Sequence, residues 1–219
     1  MSQKIGILGG TFNPIHYGHL AAAEEVRERL KLDRIQFIPS FIPPHKQEED
    51  LPSADQRMAM VRLAIAGTDS FEASDIEITR GGKSYTIDTI ETVRRSYRDA
   101  ELYFITGLDS FLDIQTWKEW ERLLTICCFV VLSRPGYSFS RLKKLDFMRA
   151  AANELETLDT GTETERVIET AVSSVFLESI PLYDISSTDI RKRIRENRTV
   201  KYLLPEPVET YIIQHKLYV

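Results

Sequence analysis

The sequence predicts an α/β protein, a single doubly wound domain over residues 1–219 with a mostly parallel sheet. Short apolar runs of strand length alternate with longer segments of helical periodicity, the pattern of parallel strands joined by crossover helices. The length of 219 residues suffices for one such domain with a full core. The composition, 42% hydrophobic and 28% charged, is that of an ordinary globular protein.

Charge and cysteine content indicate a compartment and exclude some partners. The net charge of −5 argues against a nucleic-acid polymer as the main partner. No apolar run approaches the length of a membrane span, and the N-terminus lacks a signal-peptide core. Cys127 and Cys128 are adjacent, so on a strand they point to opposite faces and do not pair with each other. We therefore expect a cytoplasmic protein with cysteines in its core and no membrane or nucleic-acid partner.

The first element is a strand that leads into a helix. The apolar run Ile5–Leu8 has the length of a buried strand. Gly9 and Gly10 follow, so the backbone can turn sharply and approach a ligand closely. Asn13-Pro14 ends the extended part, and helical periodicity covers residues 17–30. A strand, a glycine turn and a helix in this order direct backbone N–H groups at a phosphate.

His16 and His19 are three residues apart at the start of this helix. That spacing places both imidazoles on one face, beside the glycine turn. Imidazoles donate hydrogen bonds to phosphate oxygens. No carboxylate or thiol lies at metal-ligand spacing around them. We therefore expect phosphate contacts from these two histidines and no metal site on the protein.

The remaining elements are predicted in chain order from their periodicity. Strands are predicted at residues 34–39, 71–78, 101–105, 126–132 and 175–182. Helices are predicted at residues 54–66 with Ser53 as N-cap, after a possible cap at Ser84, from residue 187, and at 208–217. Residues 138–170 are predicted to form a helix and a surface loop without chemistry.

Polar residues and glycines follow several of these strands, where ligands bind in open parallel sheets. They are His45, Lys46, Gly107, Asp109 and Arg134. Trp117 and Trp120 are three apart and are predicted to share one helical face. Tryptophans at that spacing are usually core residues, although one at a strand end could stack on a planar ring.

A second helix start near the C-terminus has the features of an anion site. Ser186 with Asp189 resembles a capping box, and Arg191 lies one turn into the helix. A plain capped helix with a solvated basic face at residues 191–193 is the alternative. The glycine turn and histidine pair at the first helix start favour the anion site, because two helix starts with phosphate donors suit a triphosphate. Residues 185–219 are thus predicted as a C-terminal helical part that carries a second phosphate-binding motif.

Together the two motifs carry a family resemblance. Residues Gly9–His19 resemble the nucleotidylyltransferase signature with its His-x-Gly-His core, and Ile185–Arg191 resembles the distal Ser-x-Thr-x-x-Arg signature of that superfamily. Over nearly its whole length the chain resembles the bacterial nicotinate-nucleotide adenylyltransferases. The resemblance implies a Rossmann-like domain with strand order 3-2-1-4-5 and a site at the carboxyl edge of the sheet near the first strand.

The resemblance also implies an activity: transfer of the adenylyl group of ATP to nicotinate mononucleotide, which gives nicotinate adenine dinucleotide and pyrophosphate in NAD biosynthesis. It implies direct in-line attack by the acceptor phosphate without a covalent intermediate, with Mg²⁺ arriving as the ATP complex. The catalytic residues would be His16, His19 and Arg191. Those expected at ATP are Gly9, Gly10, Thr11, Phe12, His45, Lys46, Gly107, Asp109, Arg134, Ser186, Ser187 and Thr188. Those expected at nicotinate mononucleotide are Asn13, Ser84, Tyr85, Thr86 and Trp117.

Three other functions fit parts of the pattern. A sister transferase would use pantetheine phosphate or a cytidylyl donor, against which the Ser84-Tyr85-Thr86 segment and Trp117 argue. A nucleotide sensor would not need His16, His19 and Arg191 all intact. A fragment of a class I tRNA synthetase would not have the Ser-Ser-Thr helix start in a short acidic chain. The sequence predicts no oligomeric state.

Overall fold

The computed structural model describes residues 2–43, 51–181 and 183–219, and in that part it shows a seven-stranded sheet flanked by helices. The strand order is β3-β2-β1-β4-β5-β7-β6. The β1/β4, β2/β3, β4/β5 and β5/β7 pairs are parallel, and β6/β7 is antiparallel. The strands are β1 Lys4–Gly10, β2 Arg34–Pro39, β3 Phe71–Ala73, β4 Glu101–Gly107, β5 Cys128–Leu132, β6 Glu165–Glu169 and β7 Ser174–Glu178. The predicted α/β class, the mostly parallel sheet and the order 3-2-1-4-5 are confirmed.

Nine α-helices occur in the described ranges. They are α1 Tyr17–Leu30, α2 Ala54–Ile65, α3 Ile76–Arg80, α4 Thr86–Ser96, α5 Leu108–Phe111, α6 Trp120–Ile126, α7 Ala152–Asp159, α8 Ser187–Arg195 and α9 Glu206–Gln214. Short 3-10 helices lie at Ile114–Thr116, Phe139–Lys144 and Asp146–Ala151. Among the residues described, no helix combines the length and the apolar character that crossing a bilayer requires.

The chain forms two compact units. The first comprises residues 1–8 and 85–182, with β4, β5, β6, β7 and most of β1, and with α4 to α7. Its core includes Phe104, Phe111 and Phe129, whose rings pack edge-on or tilted at centroid distances of 5.3–5.7 Å. The central parallel strands β4 and β5 of this unit are mostly apolar and buried, as parallel strands covered by helices on both faces should be.

The second unit comprises residues 9–84 and 183–219, with β2, β3, α1, α2, α3, α8 and α9. Ser53 caps α2 through its hydroxyl, which accepts from the Gln56 N–H at 3.2 Å, while the Gln56 side chain accepts from the Ser53 N–H at 3.0 Å. The predicted cap is therefore confirmed, and it is a full capping box.

Two predicted elements are wrong in detail. The strand predicted at residues 71–78 ends at Ala73, and the chain turns into the short helix α3, because the segment has only a weak apolar alternation to hold it in the sheet. The surface loop predicted within residues 138–170 contains β6, which forms because β7 offers it an antiparallel ladder from Glu165↔Glu178 to Glu169↔Ser174. The two apolar residues of β6 are Val167 and Ile168, and only Ile168 is buried, so the sequence signal for this edge strand was weak.

Candidate active site

The first motif turns at Phe12. Gly9 and Gly10 continue β1, and Phe12 takes the left-handed conformation with φ 47°, followed by a cis Asn13–Pro14 bond. The expected glycine turn is therefore wrong in its position. Gly10 has another role: a Cβ there would lie 3.2 Å from the Phe12 ring, closer than ordinary van der Waals contact, so the glycine leaves room for that ring. Phe12 is buried, so its ring is a packing group within the protein.

His16 and His19 lie side by side as predicted. His16 is the N-cap of α1 and His19 is the third helical residue. Their rings stack with centroids 3.8 Å apart, and the Phe12 ring packs edge-on against His19 at 5.2 Å. The backbone N–H of His16 donates to Nδ1 of His19 at 3.3 Å. Because Nδ1 accepts this bond, the proton of the neutral ring resides on Nε2, which makes Nε2–H a hydrogen-bond donor.

Gly18 is the residue that lets His16 take this position. A Cβ at Gly18 would lie 3.0 Å from Nδ1 and 3.1 Å from Cε1 of His16, and 3.5 Å from the Ile185 carbonyl. These first two distances are shorter than ordinary van der Waals contact. The glycine in the His-x-Gly-His core is therefore explained by the imidazole that lies directly over it.

The second motif starts α8 as expected. The Ser186 hydroxyl accepts from the Asp189 N–H at 3.1 Å, which confirms the predicted cap. The Asp189 carboxylate, however, accepts from Arg193 Nε at 2.7 Å. The Asp189 N–H at this helix start is already bonded within the protein, to the Ser186 hydroxyl.

The side chains of the second motif hold the loop of the first. The Ser187 hydroxyl donates to the Pro14 carbonyl at 2.8 Å, and Arg191 Nη1 donates to the Asn13 carbonyl at 2.8 Å. The Tyr17 N–H, at the start of α1, donates to the Leu203 carbonyl at 3.0 Å. The two motifs, far apart in sequence, therefore lie together within the second unit. The sequence did not indicate that Ser187 and Arg191 would bind the histidine loop itself.

Arg57 also supports this loop, and the sequence analysis missed it. It lies on the core face of α2, and its side chain is 1% exposed. Its guanidinium donates to the carbonyls of Thr11 at 2.9 Å, Phe41 at 3.2 Å and Pro52 at 3.2 Å. The available signal was a charged residue on the apolar side of a helix, where an arginine needs partners.

Gly107, Asp109 and Arg134 come together in the first unit. Arg134 Nε donates to Asp109 Oδ1 at 3.3 Å. A Cβ at Gly107 would overlap the Asp109 carboxylate and lie 3.2 Å from Arg134 Nε. The glycine at the end of β4 therefore leaves room for this ion pair. Both side chains keep solvent access, so the pair adds little stability and its groups can face a ligand.

The start of α4 has no side-chain cap. Tyr85 is the N-cap residue and Thr86 the first helical residue, and the Tyr85 side chain makes no capping hydrogen bond to this helix start. The predicted cap at Ser84 is wrong, because the Ser84 hydroxyl accepts from the Phe41 N–H at 2.8 Å and so joins two loops of the second unit. The uncapped N–H groups and the helix dipole give this end of α4 a partial positive charge.

Trp117 and Trp120 do not share a face. Glu119 between them has φ 52°, and this left-handed residue turns the chain before α6. Trp117 is half-buried against Phe104 at 6.0 Å and Phe129, whereas Trp120 stacks on Phe147 at 5.7 Å. The expectation of a common face failed because it assumed one continuous helix through both residues.

Two predicted site residues, the possible metal ligands and the cysteines remain to be described. His45 and Lys46 lie outside the described residues. In the described ranges, no group of three or more His, Cys, Asp or Glu side chains is arranged to hold a metal ion. Cys127 is free and buried, and burial raises the pKa of its thiol, so it is a neutral core residue as predicted.

Comparisons with known proteins agree with both motifs. The family model described as cytidylyltransferase-like matches residues 7–193. A protein of Geotalea uraniireducens, named a probable nicotinate-nucleotide adenylyltransferase, is 44% identical over 99% of this chain and 98% of its own length. A protein of Desulfitobacterium hafniense with the same name is 41% identical over 99% of this chain and 96% of its own.

A solved structure shares the fold. It is the nicotinic acid mononucleotide adenylyltransferase of Plasmodium falciparum in complex with NaAD, which superposes with a TM-score of 0.73 at 22% identity, covering 99% of this chain and 97% of that one. The same enzyme in complex with APC superposes with a TM-score of 0.72. Because the family model matches residues 7–193 and the relatives above match over nearly their full length, the chain belongs to the cytidylyltransferase-like family and, within it, to the nicotinate-nucleotide adenylyltransferases.

Proposed function

We propose that this chain transfers the adenylyl group of ATP to nicotinate mononucleotide and releases pyrophosphate. An oxygen of the acceptor phosphate attacks the α-phosphorus of ATP, and the bond from that phosphorus to the bridging oxygen of the pyrophosphate breaks in line. A phosphate is already nucleophilic at neutral pH, so the protein need not supply a base. Catalysis then consists of positioning and of neutralising charge on the transferring group.

The observation that carries this proposal is the binding of α8 to the loop that presents the stacked histidines. The Ser187 and Arg191 bonds to Pro14 and Asn13 bring a helix start and a guanidinium to the imidazole pair. His19 Nε2–H would donate to a phosphate oxygen as charge develops in the transition state. Arg191 and the start of α8 would hold the departing pyrophosphate.

In this proposal the pyridine ring of the acceptor lies at the uncapped start of α4, with Trp117 beside it. Free N–H groups and a partial positive charge suit the carboxylate of nicotinate. The corresponding amide would place its own donors against those N–H groups, and each unpaired polar group costs about 1–3 kcal/mol. We therefore expect preference for the acid over the amide acceptor of roughly 10- to 100-fold.

ATP would enter as its magnesium complex, with the ion held mostly by phosphate oxygens and water as part of the substrate. Asp109, Arg134 and Gly107 would contact ATP, as would His45 and Lys46. We further propose that the protein works in the cytoplasm and uses no nucleic acid, in line with its net charge of −5.

The test is an ATP-dependent pyrophosphate-release assay with a panel of acceptors: nicotinate mononucleotide, its amide, and phosphopantetheine. CTP in place of ATP tests the donor. We expect turnover with ATP and the two pyridine nucleotides, with the larger kcat/KM for the acid. Turnover with phosphopantetheine alone, or with CTP in preference to ATP, would overturn the assignment.

A further inference from the structure

An ion pair at the start of α4 takes no part in the mechanism proposed above. Lys118 Nζ lies 2.9 Å from Oδ1 and 3.1 Å from Oδ2 of Asp88, the third residue of the helix. The same ammonium lies 5.1 Å from the centroid of the Tyr85 ring. Lys118 thus contacts the first turn of α4 twice, and it directly follows Trp117 in the chain.

A second ion pair lies one turn further along the same helix. Arg122 Nη2 lies 2.5 Å from Glu91 Oε1, and Arg122 Nη1 lies 3.0 Å from Glu119 Oε2. Asp88 and Glu91 are three residues apart, so they share a face of α4. Both pairs join α4 to the segment around α6, but only the Lys118 pair lies at the helix start. Arg122 therefore provides a matched comparison for any effect of Lys118 on packing alone.

The Asp88 charge has a consequence for a ligand at this helix end. A carboxylate in the first turn is favourable for the helix itself, because it faces the positive end of the dipole. It repels any anionic ligand group held by the same N–H groups, at a distance on the order of one helical turn, about 5 Å. A protein that binds nicotinate here must offset that repulsion. The hydrogen bond to Asp88 raises the pKa of the Lys118 ammonium, so Lys118 stays charged at neutral pH.

We propose that Lys118 and Asp88 form a positioning pair that sets the preference for an acid over an amide acceptor. Lys118 neutralises Asp88 at the helix start, so the partial charge of α4 remains available to the carboxylate of the acceptor. This inference rests on the proposed function, in particular on the placement of the acceptor ring at Tyr85–Thr86. As both side chains are partly exposed, the pair contributes little to stability and its effect is on the local charge.

The test is a charge series at these two positions, with kcat/KM measured for nicotinate mononucleotide and its amide on each enzyme preparation. Lys118→Met makes the helix start one charge more negative, Asp88→Asn one charge more positive, and the double variant restores the balance. We expect the ratio of acid to amide kcat/KM to fall roughly 10-fold in Lys118→Met, to rise in Asp88→Asn, and to return within about twofold of wild type in the double variant. Arg122→Met should leave the ratio unchanged, and the KM for ATP should change little throughout.

A loss of folded protein cannot imitate this result, because it lowers both acceptor values in proportion and leaves their ratio unchanged. A ratio that is the same in Lys118→Met and Asp88→Asn as in wild type would overturn the inference while leaving the proposed function intact. An equal change in Arg122→Met would also overturn it, since packing of α4 would then be the cause. A wild-type enzyme with no turnover on either pyridine nucleotide would overturn the inference together with the proposed function.

Discussion

Substitution of Gly18 by alanine tests whether the position of His16 matters for catalysis. The new Cβ would lie 3.0 Å from His16 Nδ1, whereas ordinary van der Waals contact begins at 3.4 Å. The imidazole must therefore move by about 0.4 Å. A misplacement of about 1 Å in a catalytic arrangement lowers the rate on the order of 100-fold. Scaling the logarithm of the rate with displacement gives an expected loss of kcat of about 3- to 10-fold.

Stability should not follow activity in this variant. Gly18 is the second residue of α1, and replacement of a helical glycine by alanine stabilises by up to about 1 kcal/mol. That gain offsets the strain of the close contact, so the free energy of unfolding should change by less than about 1 kcal/mol. Ala22→Gly in the same helix is the control: it should lower the free energy of unfolding by about 1 kcal/mol and leave kcat unchanged.

The measurements are steady-state pyrophosphate release at saturating substrates and urea denaturation of both variants. Wild-type kcat in Gly18→Ala would refute the reasoning, because it would mean that the His16 ring can be displaced without effect. A kcat that falls equally in Ala22→Gly would refute it as well, since helix stability would then explain both.

Three further substitutions test the other groups of the site. His19→Ala should lower kcat roughly 100-fold or more with ATP affinity nearly unchanged, because the imidazole acts in the transition state; near-normal turnover would leave it a structural role only. Arg191→Lys should remain at least about 10-fold below wild type in kcat/KM for ATP, since an ammonium lacks the planar fork that binds phosphate oxygens and the Asn13 carbonyl together. Wild-type kinetics in both Arg191→Lys and Arg191→Ala would exclude a role of Arg191 in holding the pyrophosphate. Arg57→Met should lower the free energy of unfolding by about 2–5 kcal/mol in urea titrations, because it removes a buried donor from three backbone carbonyls, and a change below about 1 kcal/mol would contradict that account.

Local sequence determined the elements whose signals lie within a few residues of one another. The Ser53 and Ser186 caps form as predicted because a side chain and the N–H it accepts are three residues apart in any helix start. Strand β2 has its predicted bounds of Arg34–Pro39, since an apolar run that ends in proline allows few other structures. The stacking of His16 on His19 follows in the same way from their spacing at the start of α1. The family signatures are local patterns too, and they predicted the fold and its strand order.

Tertiary structure decided which partner each polar group takes. Ser84 was predicted to cap the helix beside it, but the Phe41 N–H from another loop lies within reach of its hydroxyl. Ser187 and Arg191 were expected to face a phosphate, and in the structure they donate to the Pro14 and Asn13 carbonyls. A hydrogen bond between residues far apart leaves no periodic signal in the sequence, because its geometry depends on how the intervening elements pack. For the same physical reason the sequence alone predicted the histidine pair, whereas only the packed structure explains why the residue beneath His16 must be glycine.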